Sequence, residues 1–204
     1  MELTDAIRRR RMIRTYDRAR PVPRAVIDEL LALAVRAPSA GHSQGWRFLV
    51  LDDPTGRDAF WAATTDAAAA NSWIDRLQTA PALIICFSDK QAYLERYAEP
   101  DKGWTDMDEA RWSVPYWHID TGMAALIVLL SAVEHGLGAC FFGVPGERWD
   151  ALRATFGVPS RLTPIGVISL GYPAPDRRSP SLERGLRPWA DVVSYRSFGA
   201  SEPG

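Results

Sequence analysis

The sequence is poor in the residues that build metal sites and disulfide scaffolds. Its 204 residues include two cysteines and three histidines, and none of them has the spacing of a zinc ligand set. Cys86 and Cys140 each lie inside an apolar run, which is typical of buried, reduced thiols. We therefore predict no metal site, no disulfide and a cytoplasmic location.

An excess of charge of one sign is also missing. Lysine and arginine total 24 and aspartate and glutamate total 25, so the formal net charge is −1. A dedicated nucleic-acid binder is expected to be more basic, and a disordered chain is expected to be less apolar than the observed 47%. The composition predicts a folded protein with no nucleic-acid partner.

Long apolar runs are absent as well. No uninterrupted stretch approaches the roughly 20 apolar residues that cross a bilayer, so no membrane partner is predicted. Glu2 and Asp5 lie where a secretory signal would have its apolar core, which argues against a targeting segment. The length and the lack of internal repeats favour one domain, residues 1–204.

The common catalytic fingerprints give no assignment. There is no Walker loop, and no Gly-x-Gly-x-x-Gly opens a helix. Ser39 and Ser43 lie near His42, but adjacency in sequence does not make a catalytic triad. We assign no side chain as catalytic.

Apolar patterns predict a small central sheet flanked by helices, of the α+β or α/β class. Strands are predicted at 46–51, 82–87, 138–143 and 163–171. The run 82–87 is apolar without alternation and is predicted to be central, whereas Pro164 places the last strand at or near an edge. Helices are predicted at about 3–10, 23–35, 54–65, 66–78, 117–135 and 147–156.

Two segments fit no regular element. Residues 98–115 are polar and contain tryptophan, and loops of this length are usually lids or partner contacts. Residues 172–204 are rich in Pro, Arg and Ser and are expected to form an arm laid over the body or over a neighbouring subunit.

A dense basic run, Arg8-Arg9-Arg10-Arg11-Met12-Ile13-Arg14, stands at the front of the chain. It is either a solvated basic face, a loose nucleic-acid contact or a cradle for an anion. Downstream pieces suit a flat anionic cofactor: a tight turn at 38–44, and small residues at 138–143 that permit close backbone approach to a planar ring.

Four stretches in order resemble the FMN-dependent nitroreductase family. They are Arg10-Arg11-Met12-Ile13-Arg14-Thr15-Tyr16, Ala37-Pro38-Ser39-Ala40-Gly41-His42-Ser43-Gln44-Gly45-Trp46, Gly136-Leu137-Gly138-Ala139-Cys140 and the segment from Arg184 to Val193. The resemblance implies an α+β, nitroreductase-like sandwich. It also implies an intertwined homodimer, with the long helix at the seam and the 172–204 arm wrapping the partner.

The resemblance further implies where FMN binds. The phosphate and ribityl region would be held by the front of the chain and by the arm, the flavin by the turn of the neighbouring subunit, and the ring by the third strand. The residues concerned are Arg10, Arg11, Met12, Arg14, Arg184 and Arg187, then Pro38, Ser39, Ala40 and Gln44, then Cys140, Phe141, Phe142 and Gly143. The backbone N–H of Gly143 is a candidate donor to flavin N5.

The chain departs from the family pattern at three points. Met12 stands where a serine is usual, and His42 and Gly45 stand where asparagine and proline are frequent. The 98–115 segment would be the variable lid over the flavin, with Trp104, Trp112 and Tyr116 facing substrate or, alternatively, filling a core or an interface.

The predicted function is FMN-dependent reduction of nitroaromatics, quinones or related electron acceptors by NADPH or NADH in a ping-pong cycle. Two alternatives stay open at this point. One is an oxygen-dependent flavoenzyme of the same fold that cleaves flavin or oxidises a substrate, and the other is a flavin-binding or storage protein without turnover.

Overall fold

A four-stranded antiparallel sheet organises the chain in the computed structural model, which describes residues 1–66, 72–175 and 180–198. The strands are β1 (Trp46–Leu51), β2 (Ala82–Asp89), β3 (Gly138–Phe142) and β4 (Leu162–Gly171). Their order across the sheet is β1-β2-β4-β3. An all-antiparallel sheet flanked by helices confirms the α+β class.

Helices cover both faces of the sheet. They are α1 (Leu3–Arg9), α2 (Arg24–Ala34), α3 (Pro54–Thr64), α4 (Ser72–Leu77), α5 (Lys90–Ala98), α6 (Tyr116–Glu134), α7 (Trp149–Phe156) and α8 (Trp189–Val192). Short 3₁₀ turns occur at 40–42, 109–111, 146–148 and 180–184. The predicted helix at 66–78 is confirmed only as α4, and residues 67–71 lie outside the described part of the chain.

The central position of β2 follows from its sequence. All eight of its residues are buried, because alternate side chains enter different cores. Ile84 packs with α2 and α6 on one face of the sheet, and Leu83 and Ile85 pack with α3 and α7 on the other. A continuous apolar run is what two covered faces require.

The last strand, predicted at or near an edge, lies next to the edge strand and is not itself an edge. β4 pairs with β2 on one side and β3 on the other, so β1 and β3 are the edges. Pro164 is accommodated because the register shifts between Cys86 and Phe87, where the pairing passes from Gly166 to Pro164. A bulge interrupts the ladder beside the residue that has no N–H to donate.

Helix α6 is apolar around most of its circumference. Val128 and Ala132 are buried against the sheet, while Ile119, Met123 and Leu126 keep 39%, 41% and 48% of their surface exposed. By length and composition α6 is the one helix of the described chain able to span a membrane. A core helix of a soluble protein passes the same test.

The chain after β4 runs back along the N-terminal segment before it leaves the body. Tyr16 bridges Pro173, and the Asp17 N–H donates to the Tyr172 carbonyl at 2.9 Å. Beyond the gap at 176–179, residues 182–198 are almost entirely exposed, with Leu186 at 98%, Trp189 at 68% and Phe198 at 96%. These apolar side chains have little contact with their own chain.

Candidate functional site

The basic run, hereafter the arginine segment (residues 8–14), lies along the free edge of β3. The Ile13 N–H donates to the Ala139 carbonyl at 3.0 Å, and Met12 forms a parallel bridge with Ala139. The close approach of Ile13 to β3 requires glycine at position 138, where a Cβ would lie 2.8 Å from the Cβ of Ile13. The first and third predicted pieces of the site are thus brought together.

Arg10 has a buried side-chain donor that an anion would satisfy. It caps α1 through its backbone N–H, which donates to Ala6 at 2.9 Å. Its Nη1 is buried and finds no hydrogen-bond partner in residues 1–66, 72–175 and 180–198. A buried guanidinium N–H without an acceptor is costly, so a phosphate at this point would satisfy it.

The other members of the arginine segment divide by exposure. Arg14 is half-buried, and its Nη1 donates to the Met12 carbonyl at 3.2 Å. Arg8, Arg9 and Arg11 are exposed, so Arg11 lies at the rim. Met12 takes a structural role in place of a hydroxyl: its Sδ accepts from the Phe141 N–H at 3.5 Å.

The end of β3 presents backbone more than side chains. Phe141 lies across Gly166, where any Cβ would collide with its ring. Cys140 is buried. Phe142 is stacked on Trp61 with an interplanar angle of 6°. Its side chain is therefore occupied within the protein, and only its backbone is left to face a flavin ring. Gly143 is exposed, and nothing lies within 4 Å of the position that a Cβ would take there.

The second half of the predicted site is a tight loop (residues 38–45) in front of β1. Its backbone is left-handed at Gly41 (φ 59°), His42 (φ 58°) and Gln44 (φ 51°), and two of these three residues are not glycine. Within the loop, the Gln44 N–H donates to the Ser39 hydroxyl oxygen at 3.0 Å. Such a conformation persists only when its surroundings impose it.

A buried carboxylate imposes it from α6. The Asp120 side chain accepts from the Ala40 N–H at 2.9 Å and from the Tyr93 hydroxyl at 2.8 Å, both on Oδ2. Asp120 is 4% exposed and Tyr93 is fully buried. Burial, followed by the hydrogen bond to Asp120, raises the pKa of Tyr93 far above its ordinary value.

Sequence reasoning missed this carboxylate. The signal available was an acidic residue inside an otherwise apolar helix, which indicates a buried partner. The structure also accounts for Gly45: a Cβ there would meet the Asp89 carbonyl at 2.8 Å. Proline at this position would therefore not fit beside Tyr93.

Residues 41–45 formally match the Gly-x-Ser-x-Gly pattern of a nucleophile elbow, a match that sequence reasoning overlooked. The geometry is not that of an elbow, because the loop leads from a helix into a strand. The Ser43 hydroxyl donates to the Ala40 carbonyl at 2.6 Å, and its neighbour His42 is exposed. Ser43 closes the turn and is not activated.

The 98–115 segment is folded around an aromatic cluster (Tyr97, Trp104, Trp112, Tyr116 and Trp117). Trp112 is its centre, with ring centroids at 4.5 Å from Tyr97, 5.6 Å from Trp104 and 5.9 Å from Tyr116. Tyr116 is 39% exposed, while Trp104 and Trp112 are half-buried. The three predicted lid residues form one surface of edge-on and tilted rings.

The two predicted arginines of the C-terminal arm lie on the surface. Arg184 and Arg187 are exposed, and Arg187 forms an ion pair with Asp191 at 3.9 Å. Their place at the FMN phosphate stays a prediction.

The two halves of the site are separated within one chain. The arginine segment lies along β3 and the tight loop precedes β1, at opposite edges of the sheet. Three strand spacings of about 4.8 Å put these edges about 14 Å apart. The two halves therefore do not meet at one edge of the sheet of a single subunit.

The part of the chain that is described brings together no group of three or more His, Cys, Asp or Glu side chains. Cys86 and Cys140 are buried and not joined in a disulfide. Burial raises the pKa of the Cys86 thiol to about 12, which makes it inert at neutral pH.

Comparisons with known proteins show which sequences and structures this chain resembles. The profile of the nitroreductase family matches residues 7–172. The NADH dehydrogenase of Thermus thermophilus is 32% identical over 209 residues, which cover 90% of this chain and 94% of that protein. Iodotyrosine deiodinase 1 of Rattus norvegicus is 25% identical over 203 residues, covering 90% of this chain and 66% of that protein.

A solved structure has the same fold. The crystal structure of a protein from Exiguobacterium sibiricum in complex with FMN superposes on this chain with a TM-score of 0.65 and 23% identity. The superposition covers 92% of this chain and 98% of that one.

Proposed function

The chain belongs to the nitroreductase family and is an oxidoreductase, and we propose that it binds FMN and uses NADPH or NADH to reduce small electron acceptors. One observation carries the cofactor assignment: the buried, unsatisfied Nη1 of Arg10 beside β3. A phosphate group is the anion that an arginine fork recognises best.

The residues present fit FMN. Arg10 and Arg14 would hold the phosphate and ribityl end, with Arg11 at the rim and Met12 fixing the segment on β3. Gly143 would present its backbone N–H to the edge of the ring. When bound, FMN supplies the chemistry that passes hydride and electrons between nicotinamide and acceptor. The protein itself binds the cofactor, orients the reacting rings and excludes water.

The other half of each site is proposed to come from a second copy of the chain. A flavin held at the β3 edge of one subunit would meet Pro38, Ser39, Ala40 and Gln44 of the partner subunit, because these residues lie at the far edge of their own sheet. Three features support a homodimer: the exposed apolar stripe on α6, the uncovered apolar side chains of the 182–198 arm, and the 14 Å separation of the half-sites.

The exposed stripe suits a helix seam. Ile119, Met123 and Leu126 recur at the i, i+4, i+7 spacing of one helical face. The arm would then cover the partner subunit and carry Arg184 and Arg187 toward the phosphate. Seventeen or more residues of arm with Leu186, Trp189 and Phe198 exposed are hard to explain in an isolated chain.

The aromatic cluster favours planar acceptors. Trp104, Trp112 and Tyr116 offer a broad, rigid apolar surface, against which a nitroaromatic or quinone ring would stack at 4.5–7 Å centroid spacing, roughly the range for aromatic pairs. We propose that oxidised nicotinamide leaves before the acceptor enters, since one flat face serves both rings.

The purified protein tests these proposals directly. We expect a yellow protein whose visible flavin bands bleach on anaerobic mixing with NADPH or NADH, and recover on addition of a quinone or nitroaromatic. Iodotyrosine, the substrate class in the name of the rat relative, is the acceptor to compare. A colourless protein that takes up no FMN would reject the cofactor; bound FMN that stays oxidised with both nicotinamides would reject the reductase.

A further inference from the structure

Helix α5 touches both the tight loop and the 98–115 segment, through a single guanidinium. Arg96 Nε donates to the Gly41 carbonyl at 2.9 Å. Its two terminal nitrogens donate to Asp101, Nη1 to Oδ1 at 2.7 Å and Nη2 to Oδ2 at 2.8 Å. One side chain thus joins a strained turn of the loop to the start of the aromatic segment.

A second contact reinforces this joint. Tyr97, the next residue of α5, lies against Gly41, where a Cβ would be 2.6 Å from the ring. The other side of the same ring packs on Trp104 and Trp112, at 4.9 Å and 4.5 Å between centroids. The loop and the aromatic cluster therefore share a ring as well as a guanidinium.

We propose that Arg96 is a positioning residue that makes the tight loop and the 98–115 segment move as one body. The proposal rests on the proposed function, in which the loop faces flavin and the segment faces the acceptor. Arginine is needed because three donors in a fixed plane reach a carbonyl and both oxygens of a carboxylate together, which the single ammonium of lysine does not do.

The joint has a consequence for substrate selection. Displacement of Asp101 by an acceptor bound on the aromatic cluster would move Arg96 and hence the Gly41 carbonyl. His42 and Gln44 are left-handed although neither is glycine, so the loop has strain to release when this support goes. The shape of the acceptor would then change the position of the loop that faces the flavin bound between the subunits, without direct contact between acceptor and loop.

Arg111 offers a matched control within the same segment. It also forms a two-pronged ion pair, with Nε at 3.0 Å from both Asp106 oxygens and Nη2 at 2.6 Å from Oδ2, and it lies over Trp104 at 5.6 Å. Its partners are in the 98–115 segment and not in the loop. Arg111→Ala therefore removes a comparable pair without cutting the joint.

The first measurement is backbone hydrogen exchange in protein freed of FMN. The Ser43 and Gln44 amides are bonded within the loop, to Ala40 at 3.1 Å and to Ser39 at 3.0 Å. In Arg96→Ala we expect both amides to exchange at least about tenfold faster than in the wild type, and in Arg111→Ala within about twofold of it. Equal exchange in the two variants would overturn the proposal.

The second measurement is FMN affinity, from quenching of flavin fluorescence. We expect Arg96→Ala to weaken FMN binding about tenfold, Arg96→Lys to recover little of it, and Asp101→Asn to weaken it by roughly a third as much. If the wild type binds FMN and Arg96→Ala binds it equally well, the proposed coupling through Arg96 is refuted and the proposed function stands. A wild type without FMN affinity would refute the proposed function, and the exchange experiment would still decide on Arg96.

Discussion

The two halves of the site are held in place by different kinds of interaction. The arginine segment lies on β3 through backbone pairing at Met12 and Ile13, and Arg10 keeps a buried Nη1 that no hydrogen-bond acceptor of the described residues satisfies. The tight loop is held by side chains of α5 and α6, with Asp120 and Arg96 bonded to its backbone. The first half should therefore lose ligand affinity when altered, and the second should lose structure.

The largest effect is expected from Asp120→Ala. The substitution leaves the Ala40 N–H and the Tyr93 hydroxyl buried without their acceptor, at about 1–3 kcal/mol for each group. We expect the free energy of unfolding to fall by about 3 kcal/mol, measured by urea denaturation of the protein without FMN.

Tyr93→Phe is the matched control for that loss. It removes one donor and keeps both the ring and the Ala40 bond, so we expect a fall of about 1 kcal/mol. If Asp120→Ala were no less stable than Tyr93→Phe, the carboxylate would not be what holds the loop.

Arg10→Ala should show the opposite behaviour. Removing a charge-assisted contact to phosphate is worth about 1.5–3 kcal/mol, or roughly 10- to 100-fold in FMN affinity. Stability without FMN should change by no more than about 0.5 kcal/mol, because the lost Nη1 was a buried donor without an acceptor. Titration of FMN and urea denaturation measure the two quantities on one preparation.

Arg8→Ala tests whether the effect depends on position or only on charge. Arg8 is exposed on the last turn of α1, and its removal should leave FMN affinity within about twofold. Equal loss in both variants would mean that the arginine segment acts as a diffuse basic field.

Met12 is held both by backbone pairing with β3 and by contacts of its side chain. Its side chain packs against both cores, and its Sδ accepts from Phe141. Met12→Ser should cost about 1–2 kcal/mol of stability through lost packing, while the new hydroxyl should tighten FMN binding roughly fivefold. Met12→Ala should show the same stability loss without the gain, and identical FMN affinities in the two variants would exclude a hydroxyl contact.

The comparison of the two halves also explains what could be predicted. The arginine segment, the four strands and the order of the motifs are local patterns, and each was predicted from contiguous residues. The interior place of β4 depends on a bulge formed with another strand, and the hold on the loop depends on Tyr93 and Asp120, which are 27 residues apart. Contacts between distant side chains leave no local period in the sequence.

The aromatic segment shows the same limit. Its tryptophans were visible as candidates, but the sequence did not distinguish a hinged lid from a fixed wall. In the structure, the ion pair between Arg96 and Asp101 ties the segment to α5. The pair between Arg111 and Asp106 and the capping carboxylate of Asp108 fix the turns of the segment itself. It is built as a wall, in keeping with the role proposed for Arg96.

The smallest effect is expected at His118, in the first turn of α6. Its Nε2 accepts from the Trp117 indole at 3.2 Å, so Nδ1 carries the proton that faces the Ser88 hydroxyl at 2.7 Å. Burial, and then the nearby Lys90, lower the pKa of His118 below its usual 6.5, against a weaker opposite effect of Glu109.

The sign of the pH dependence follows from that direction. Above pH 6.5 His118 is neutral in both the folded and the unfolded state, so its burial takes nothing from the free energy of unfolding. As the pH falls from 6.5 through the lower folded-state pKa, the unfolded state takes up its proton first and stability is lost. His118→Gln should therefore narrow the difference in unfolding free energy between pH 8 and pH 5. A wild type whose stability relative to this variant rises on acidification would show that His118 gains, and does not lose, a partner when it is charged.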